Sequence, residues 1–459
     1  MTPINPTIFR QYDIRGIVDK DLTPEVLTLI GRALGAELRA QGESKIALGR
    51  DGRLSGESLS KAMIDGLLMS GVSVVDLGMV TTPMVYFAAK TLDGFHSCVV
   101  ITGSHNPPNF NGIKMVIADV TLSGDAIQAL AQRIQDADFI EGRGQLASYE
   151  ILPAYQQAII ERVKLARPLK VVVDAGNGVA GATSPAILRA LGCEVIELFC
   201  EVDGRFPNHH PDPAQPKNLQ DLIAAVKTHQ ADLGLAFDGD GDRCGVVDEL
   251  GGILYADRQM MLYAQDVLAK QPGAQIVFDI KCTARLAQQI KHYGGQPIMW
   301  KTGHSLMKAK MRETGAALGG ELSGHIFFAH NWFGFDDGTY AAARMLQILA
   351  AQSKKASQLF AGLPNGYSTP ELEVPLAEGE ASAFMAKFVE QADFANAVLF
   401  KLDGLRVDYA DCWGLVRASN TSANLVLRFE GDTPQALEKI KQVFHQQITR
   451  VAPHLALPF

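Results

Sequence analysis

Cysteine is scarce in this sequence: six residues in 459, with no pair at CxxC spacing. Cys98, Cys193, Cys200, Cys244, Cys282 and Cys412 mostly sit in apolar runs. A disulfide scaffold or a CxxC centre is therefore excluded, and reduced core thiols of a cytoplasmic protein are expected. No apolar run approaches the ~18 residues that a membrane span needs. The opening Met1-Thr-Pro-Ile-Asn-Pro-Thr lacks a basic patch followed by an apolar stretch, so no signal peptide is expected. Surplus positive charge is missing too. Lys and Arg number 42 against 50 Asp and Glu, a net charge of -8. Such a chain is a poor binder of nucleic acid or of an anionic membrane, although a few cations gathered in one cleft can still hold phosphate.

What is present suits several buried cores. Hydrophobic residues make up 47% and charged residues 20%, which excludes a mainly disordered chain. At ~150 residues per domain the length predicts about three domains, within a range of two to four.

Internal similarity organises the chain. An apolar run ending in an acidic turn appears as Lys45-Ile-Ala-Leu-Gly-Arg-Asp51, again as Lys170-Val-Val-Val-Asp174, and again as Gln275-Ile-Val-Phe-Asp279. Each reads as a buried parallel strand. A helix-like stretch and a glycine-led strand follow each one, at Gly71, Gly192 and Gly294. A third strand then runs into a polar loop. These loops are Thr102-Gly-Ser104-His105-Asn106-Pro107, Asp238-Gly-Asp240-Gly-Asp242-Arg243 and Glu321-Leu-Ser323-Gly-His325. The pattern predicts three related α/β domains, each a mixed sheet sandwiched by helices. Their boundaries are expected at 1–150, 151–252 and 253–364, with loops that can face one cleft. From about Asn365 the character changes, and 365–459 is expected to be a smaller α+β domain. Strand candidates lie around Gly404 to Arg417 and Asn424 to Glu430. A helix near Thr433 and Pro434 shows an apolar face at Leu437, Ile440, Val443 and Phe444.

The loops carry the chemistry. Ser104, at a strand end beside His105 and Pro107, suits an exposed nucleophile; a plain Ser-Asn-Pro turn is the competing interpretation. No GxSxG elbow accompanies it, so a hydrolase triad is unsupported. Asp238, Asp240 and Asp242, alternating with glycine, can converge on a hard cation such as Mg²⁺. An EF-hand would need Gly at its sixth position, where Arg243 stands. A haloacid-dehalogenase-type phosphatase would carry Thr or Val in place of Asp242. Arg243 beside such a site suits a phosphorylated substrate. Glu321, Ser323 and His325 suit sugar hydroxyls, although a helix cap would also explain a Glu-Leu-Ser run. Lys281 and His304 add cationic or donor groups at strand ends. Arg417-Ala-Ser419-Asn420-Thr421-Ser422 is dense enough in donors to cradle a phosphate. Arg15 and Lys114 read singly as surface charges, yet with the others they form a concentrated cationic set.

Taken together, Tyr12-Asp-Ile-Arg-Gly, Thr102-Gly-Ser-His-Asn-Pro, Asp238-Gly-Asp-Gly-Asp-Arg, Gly320-Glu-Leu-Ser-Gly-His and Arg417-Ala-Ser-Asn-Thr resemble the α-D-phosphohexomutase family. Within it they are most similar to the bacterial phosphomannomutase/phosphoglucomutase branch. The resemblance spans essentially the whole chain and implies four domains around a central cleft. It implies a Mg²⁺-dependent isomerase of hexose 1- and 6-phosphates, mannose and glucose, working as a monomer through a hexose 1,6-bisphosphate that also serves as activator. Ser104 would carry the phosphoryl group and, with Asp238, Asp240 and Asp242, ligate Mg²⁺. Arg15, Lys114 and Arg243 would surround that group, and Glu321 and Ser323 would bind sugar hydroxyls. Lys281, His304 and His325 would assist binding or proton transfer, with His105, Lys114 and His325 the candidates to move the proton. Tyr12, Arg417, Ser419, Asn420 and Thr421 would grip the distal phosphate. Gly103 replaces a frequent Ala, a change expected to be harmless. Leu322 replaces the branch's usual Met, and the Arg417 loop differs from the Arg-Pro-Ser-Gly-Thr of phosphoglucosamine mutases, the alternative within the family. A sugar-phosphate phosphatase is the alternative outside it.

Overall fold

In the computed structural model, which describes residues 4–377, 379–419 and 423–459, each repeated apolar run is a strand. The first sheet holds β1 (Ile14–Ile17), β2 (Lys45–Arg50), β3 (Ser73–Met79), β4 (Cys98–Ile101), β5 (Phe110–Ile117), β6 (Val120–Thr121) and β7 (Leu146–Ser148). The second holds β8 (Lys170–Asp174), β9 (Glu194–Leu198), β10 (Leu233–Phe237), β11 (Cys244–Asp248) and β12 (Ile253–Leu254). The third holds β13 (Gln275–Asp279), β14 (Gln296–Trp300), β15 (Leu318–Gly320) and β16 (Ile326–Phe328).

The three sheets share one wiring. The first strand of each repeat lies between the other two and runs parallel to both: β2 between β3 and β4, β8 between β9 and β10, β13 between β14 and β15. The next strand, β5, β11 or β16, folds back antiparallel on the third. The polar loops therefore sit at the carboxyl ends of β4, β10 and β15, where α/β sheets leave room for ligands. Strands β4 and β10 are buried along their whole length, as expected for strands covered on both faces. Val99 and Ile101 point into one core while Cys98 and Val100 point into another, the two-residue alternation of a strand.

One continuous apolar core joins these three sheets. It runs from the helix Thr82–Thr91 through Tyr155, Val173 and Phe237 to Phe278, Phe328 and the helix Gly338–Ala350. The fourth sheet comprises β17 (Tyr367–Ser368), β18 (Leu372–Pro375), β19 (Val398–Phe400), β20 (Leu405–Asp408), β21 (Cys412–Ala418) and β22 (Asn424–Gly431). It has a separate core around Phe388, Phe429 and Phe444. It meets the third domain through Ile280, Trp413 and Leu415 and through Arg406, which donates to the Ile280 and Cys282 carbonyls at 2.7 Å each. A domain with a core of its own is the anatomy of a part that can move as a unit.

The strand candidates around Gly404 to Arg417 are the hairpin of β20 antiparallel to β21. The last helix, Pro434–Val451, is capped by Thr433 as expected, with its hydroxyl accepting from Ala436 N at 3.1 Å. Its buried stripe is Ala436, Ile440, Phe444 and Ile448, while Leu437 and Val443 flank it half-buried. The i, i+4 stripe wins because the sheet presents one row of side chains to the helix. Five cysteines are buried, Cys200 is half-buried, and all six are free. Among the described residues no helix is long and apolar enough to cross a membrane.

Candidate active site

The loop after β4 is held from behind by a pair of residues to which sequence reasoning gave no role. Asp51, at the end of β2, accepts from Thr102 Oγ1 at 2.7 Å and Gly103 N at 3.1 Å. Arg53, with no exposed side-chain surface, lies 3.3 Å from Asp51. It donates to the carbonyls of Ser104 (2.8 Å), Asn106 (2.6 Å), Pro107 (2.7 Å) and Phe110 (2.8 Å). Gly103 is the space that admits it, because a Cβ there would lie 2.4 Å from Arg53 Nε. The glycine expected to be neutral is thus fitted to this arginine.

Ser104 is 3% exposed, against the expectation of an exposed nucleophile. Its φ of 47° lies in the left-handed region, which non-glycine residues seldom adopt. Its Oγ donates to Asp238 Oδ2 at 3.0 Å and lies 3.2 Å from His105 Nδ1. The closure follows from backbone contact with the acidic loop, since a Cβ on Gly239 would sit 2.3 Å from Ser104 O.

Asp238, Asp240 and Asp242 are fully buried and bring one oxygen each within 4.8 Å of the others. Gly241, at φ 75°, supplies the turn between them. Asp240 is anchored from the first domain, where Thr82 Oγ1 donates at 2.6 Å from the amino end of a helix, a favourable place for negative charge. Lys114 Nζ lies 2.8 Å from Asp240 and 2.5 Å from Asp242. Arg243 Nε lies 2.9 Å from Asp238. Arg15 pairs with Asp13 and Asn106. At 7% and 3% exposed, Arg15 and Lys114 are buried beside these loops and are not surface charges.

Burial drives Asp238 up to about 7, with Arg243 opposing and the like charges of Asp242 and Asp240 adding. Burial also pushes Asp240 and Asp242 upward, but Lys114 outweighs it and both stand below the ordinary carboxylate value. Lys114 itself is held as a cation by those two carboxylates, against its burial. Asp240 Oδ1 is buried with no hydrogen-bond donor, as are the donors Arg15 Nε and Arg243 Nη2 with no acceptor. Convergent carboxylates with an unused oxygen fit a hard divalent cation, and the unused guanidinium donors fit an oxyanion.

The third loop reaches the same place through the bridge pairing of Arg243 with His325. Glu321, 1% exposed, accepts from Gly303 N at 2.5 Å and lies 3.0 Å from His325 Nδ1. Ser323 Oγ is 2.9 Å from the same nitrogen, and His325 Nε2 is 3.4 Å from Asp242. Burial works against a charged His325, yet Asp242 and Glu321 outweigh it and raise it to about 10. Burial, with Arg243 and Arg15, holds His105 well below the ordinary histidine value; burial and Lys308 do the same to His304.

Around Arg417 the fourth domain meets residues of the first and third domains. Arg417 Nε lies 3.0 Å from Asp403, which also accepts from Thr302 N at 3.2 Å. Tyr12 donates to Thr302 O at 2.8 Å, and Lys281 Nζ lies 2.9 Å from Glu371. Ser419 N donates to Asn424 O at 2.9 Å at the base of the β21–β22 loop. Asn420 and Thr421 lie outside the described residues. Asp51, Arg53, Thr82, Glu371 and Asp403 escaped sequence reasoning. Only Asp51 had a signal, as the strand-end acid of the first repeat.

Comparison with known proteins agrees with this geometry. Models of the phosphoglucomutase/phosphomannomutase family match in order: alpha/beta/alpha domain I at residues 6–141, domain II at 153–251, domain III at 255–367 and the C-terminal domain at 371–447. The phosphomannomutase/phosphoglucomutase of Pseudomonas aeruginosa is 54% identical over 453 residues, covering 99% of this chain and 98% of that protein. The phosphoglucomutase of Neisseria gonorrhoeae is 51% identical over 462 residues, covering 100% of both. A crystal structure of a phosphoglucomutase/phosphomannomutase family protein from Burkholderia thailandensis superposes with a TM-score of 0.95 at 51% identity, covering 100% of both chains. With all four domain models in sequence and half the residues shared along its full length, the chain belongs to the phosphoglucomutase/phosphomannomutase family of α-D-phosphohexomutases.

Proposed function

We propose that this chain interconverts hexose 1-phosphate and hexose 6-phosphate, with mannose and glucose as sugars, through a phosphorylated Ser104. The observation that carries the proposal is the surroundings of Ser104 Oγ. Unpaired guanidinium donors of Arg15 and Arg243 belong to the same cluster as a triad of carboxylates that includes an unpaired oxygen. A phosphoryl group on Ser104 needs donors for its oxygens and a cation for its charge; the free guanidinium donors and the convergent carboxylates support both. Asp238, Asp240 and Asp242, with an oxygen of phosphorylated Ser104, would hold Mg²⁺, which supplies charge neutralisation for the transferring group.

The chemistry then balances around one serine. The free hydroxyl of the bound sugar phosphate attacks phosphorus, a new sugar O–P bond forms and the Ser104 Oγ–P bond breaks. The hydroxyl proton passes to a base. The resulting hexose 1,6-bisphosphate reverses its orientation, and Ser104 Oγ takes the other phosphoryl group while that sugar oxygen regains a proton. Arg15, Lys114 and Arg243 neutralise the transferring group. Lys114, fixed as a cation between Asp240 and Asp242, and His325, held charged by Asp242 and Glu321, contribute charge, which leaves the neutral imidazole of His105, 3.2 Å from Ser104 Oγ, to take the proton. Glu321 and Ser323 orient sugar hydroxyls beside His304 and His325. Tyr12, Lys281, Arg417, Ser419, Asn420 and Thr421 grip the phosphate that is not reacting. Because Arg417 sits on a domain with its own core, that grip can loosen and re-form while the intermediate turns.

The test is a coupled assay with Mg²⁺ and a trace of hexose 1,6-bisphosphate as activator. Mannose 1-phosphate, glucose 1-phosphate and glucosamine 1-phosphate are compared, with free phosphate followed in parallel. Conversion of the first two without phosphate release is expected. Release of phosphate with no 6-phosphate formed would refute the mutase in favour of a phosphatase.

A further inference from the structure

Asp336 lies between β16 and the helix Gly338–Ala350 and takes no part in the reaction above. It is fully buried, and its Oδ1 accepts from Lys308 Nζ at 3.0 Å while Oδ2 receives no hydrogen bond. Asp242 engages Lys114 through Oδ2 and leaves Oδ1 without a hydrogen bond. Two imidazoles stand beside these oxygens. His325 Nε2 is 3.4 Å from Asp242 Oδ1. His304, 8% exposed, places Nδ1 3.8 Å from Asp336 Oδ2, again without a hydrogen bond. One atom from each of Asp242, His325 and Asp336 falls within 4.8 Å of the other two, and the two imidazole centres are 5.8 Å apart.

Both nitrogen–oxygen spacings exceed the hydrogen-bond range of about 2.7–3.2 Å. They approach the edge of a metal tetrahedron instead, which is about 3.4 Å for Zn–N and Zn–O bonds near 2.0–2.2 Å. His325 also has the orientation of a metal-bound imidazole. Glu321 and Ser323 hold its Nδ1, so its Nε2 is the nitrogen presented to Asp242. The carboxylates Asp238, Asp240, Asp242, Asp336 and Glu321 face Lys114, Lys308, Arg243 and the His325 imidazolium, so a metal cation enters by displacing the His325 proton to solvent.

We propose that Asp242, His325, Asp336 and His304 form a second metal site, selective for a zinc-type transition ion and distinct from the all-carboxylate triad with which it shares Asp242. Mixed imidazole and carboxylate donors favour such an ion over Mg²⁺, which prefers oxygen ligands. Occupancy withdraws His325 from the sugar loop and inhibits turnover. That consequence rests on the proposed mutase reaction, whereas the existence of the site does not.

The test is therefore a count of bound metal on the full-length, metal-stripped protein after equilibrium dialysis against micromolar Zn²⁺. About two zinc ions per chain are expected for the wild type, one in the triad and one here. Asp336→Asn and His304→Gln should each retain about one, with Asp240→Asn losing the triad ion instead. Melting curves establish that each variant is folded, and His304→Gln serves if Asp336→Asn is not. One zinc in the wild type, or an unchanged count in the folded variants at Asp336 and His304, overturns the proposal.

Discussion

Arg53→Met asks whether the clamp behind the nucleophile loop is needed for catalysis. The substitution keeps much of the side-chain volume and deletes donors to the carbonyls of Ser104, Asn106, Pro107 and Phe110, together with the ion pair to Asp51. Charged hydrogen bonds contribute about 1.5–3 kcal/mol each, but the loop can turn some carbonyls to water. The loss is better bounded by the about 3–5 kcal/mol of breaking a buried ion pair. That bound allows folding while letting the loop drift, and a ~1 Å displacement of a reacting group lowers rate about 100-fold. The proposed sugar-phosphate contacts lie mainly on the third and fourth domains, so KM should move by less than about threefold. Arg53→Lys retains the charge but its three donors cannot serve every carbonyl and Asp51 together, so an intermediate rate is expected. The assays are kcat and KM for glucose 1-phosphate, the rate of Ser104 phosphorylation by hexose 1,6-bisphosphate followed by mass spectrometry, and a melting curve. A folded Arg53→Met enzyme with at least half the wild-type kcat would refute the reasoning.

Four further outcomes are expected. Ser104→Ala should abolish turnover while leaving sugar-phosphate binding measurable by calorimetry; near-normal activity would remove Ser104 from its role. Gly103→Ala should lower kcat in the same direction as Arg53→Met and combine with it less than additively, because both act on one contact. Chelation should abolish activity, and Mg²⁺ at 100 times its dissociation constant should stabilise the fold by about 2.7 kcal/mol, read as a rise in melting temperature. His209 offers a pH test at a residue given no role in the reaction, with Nε2 3.0 Å from Asp174. Burial opposes its charge but Asp174 prevails, so its pKa is raised above the ordinary value. Its stabilisation is thus complete below the unfolded pKa of about 6.5 and fades as pH rises through the higher folded value. Melting temperatures of wild type and His209→Gln should converge above that window; parallel curves would contradict the assignment.

The three repeated strands, their loops and the fourth domain were legible in the sequence because strand periodicity and glycine-bounded loops are local. Ser104, the three aspartates, Glu321 and Arg417 were legible because each lies in a short motif of unusual composition. Folding decided which of these residues meet. A loop after β4, one after β10 and one after β15 converge only because three sheets of identical wiring pack on one core. That packing buries Ser104, against a local pattern that suggested exposure, and it turns Arg15 and Lys114 from apparent surface charges into buried partners of the site. The Asp51–Arg53 clamp, the Asp403 partner of Arg417 and the space between Asp242 and Asp336 leave no mark along the chain. Their members are separated by stretches of sequence that carry no distance information, and only the folded backbone sets the few ångströms on which their electrostatics depend.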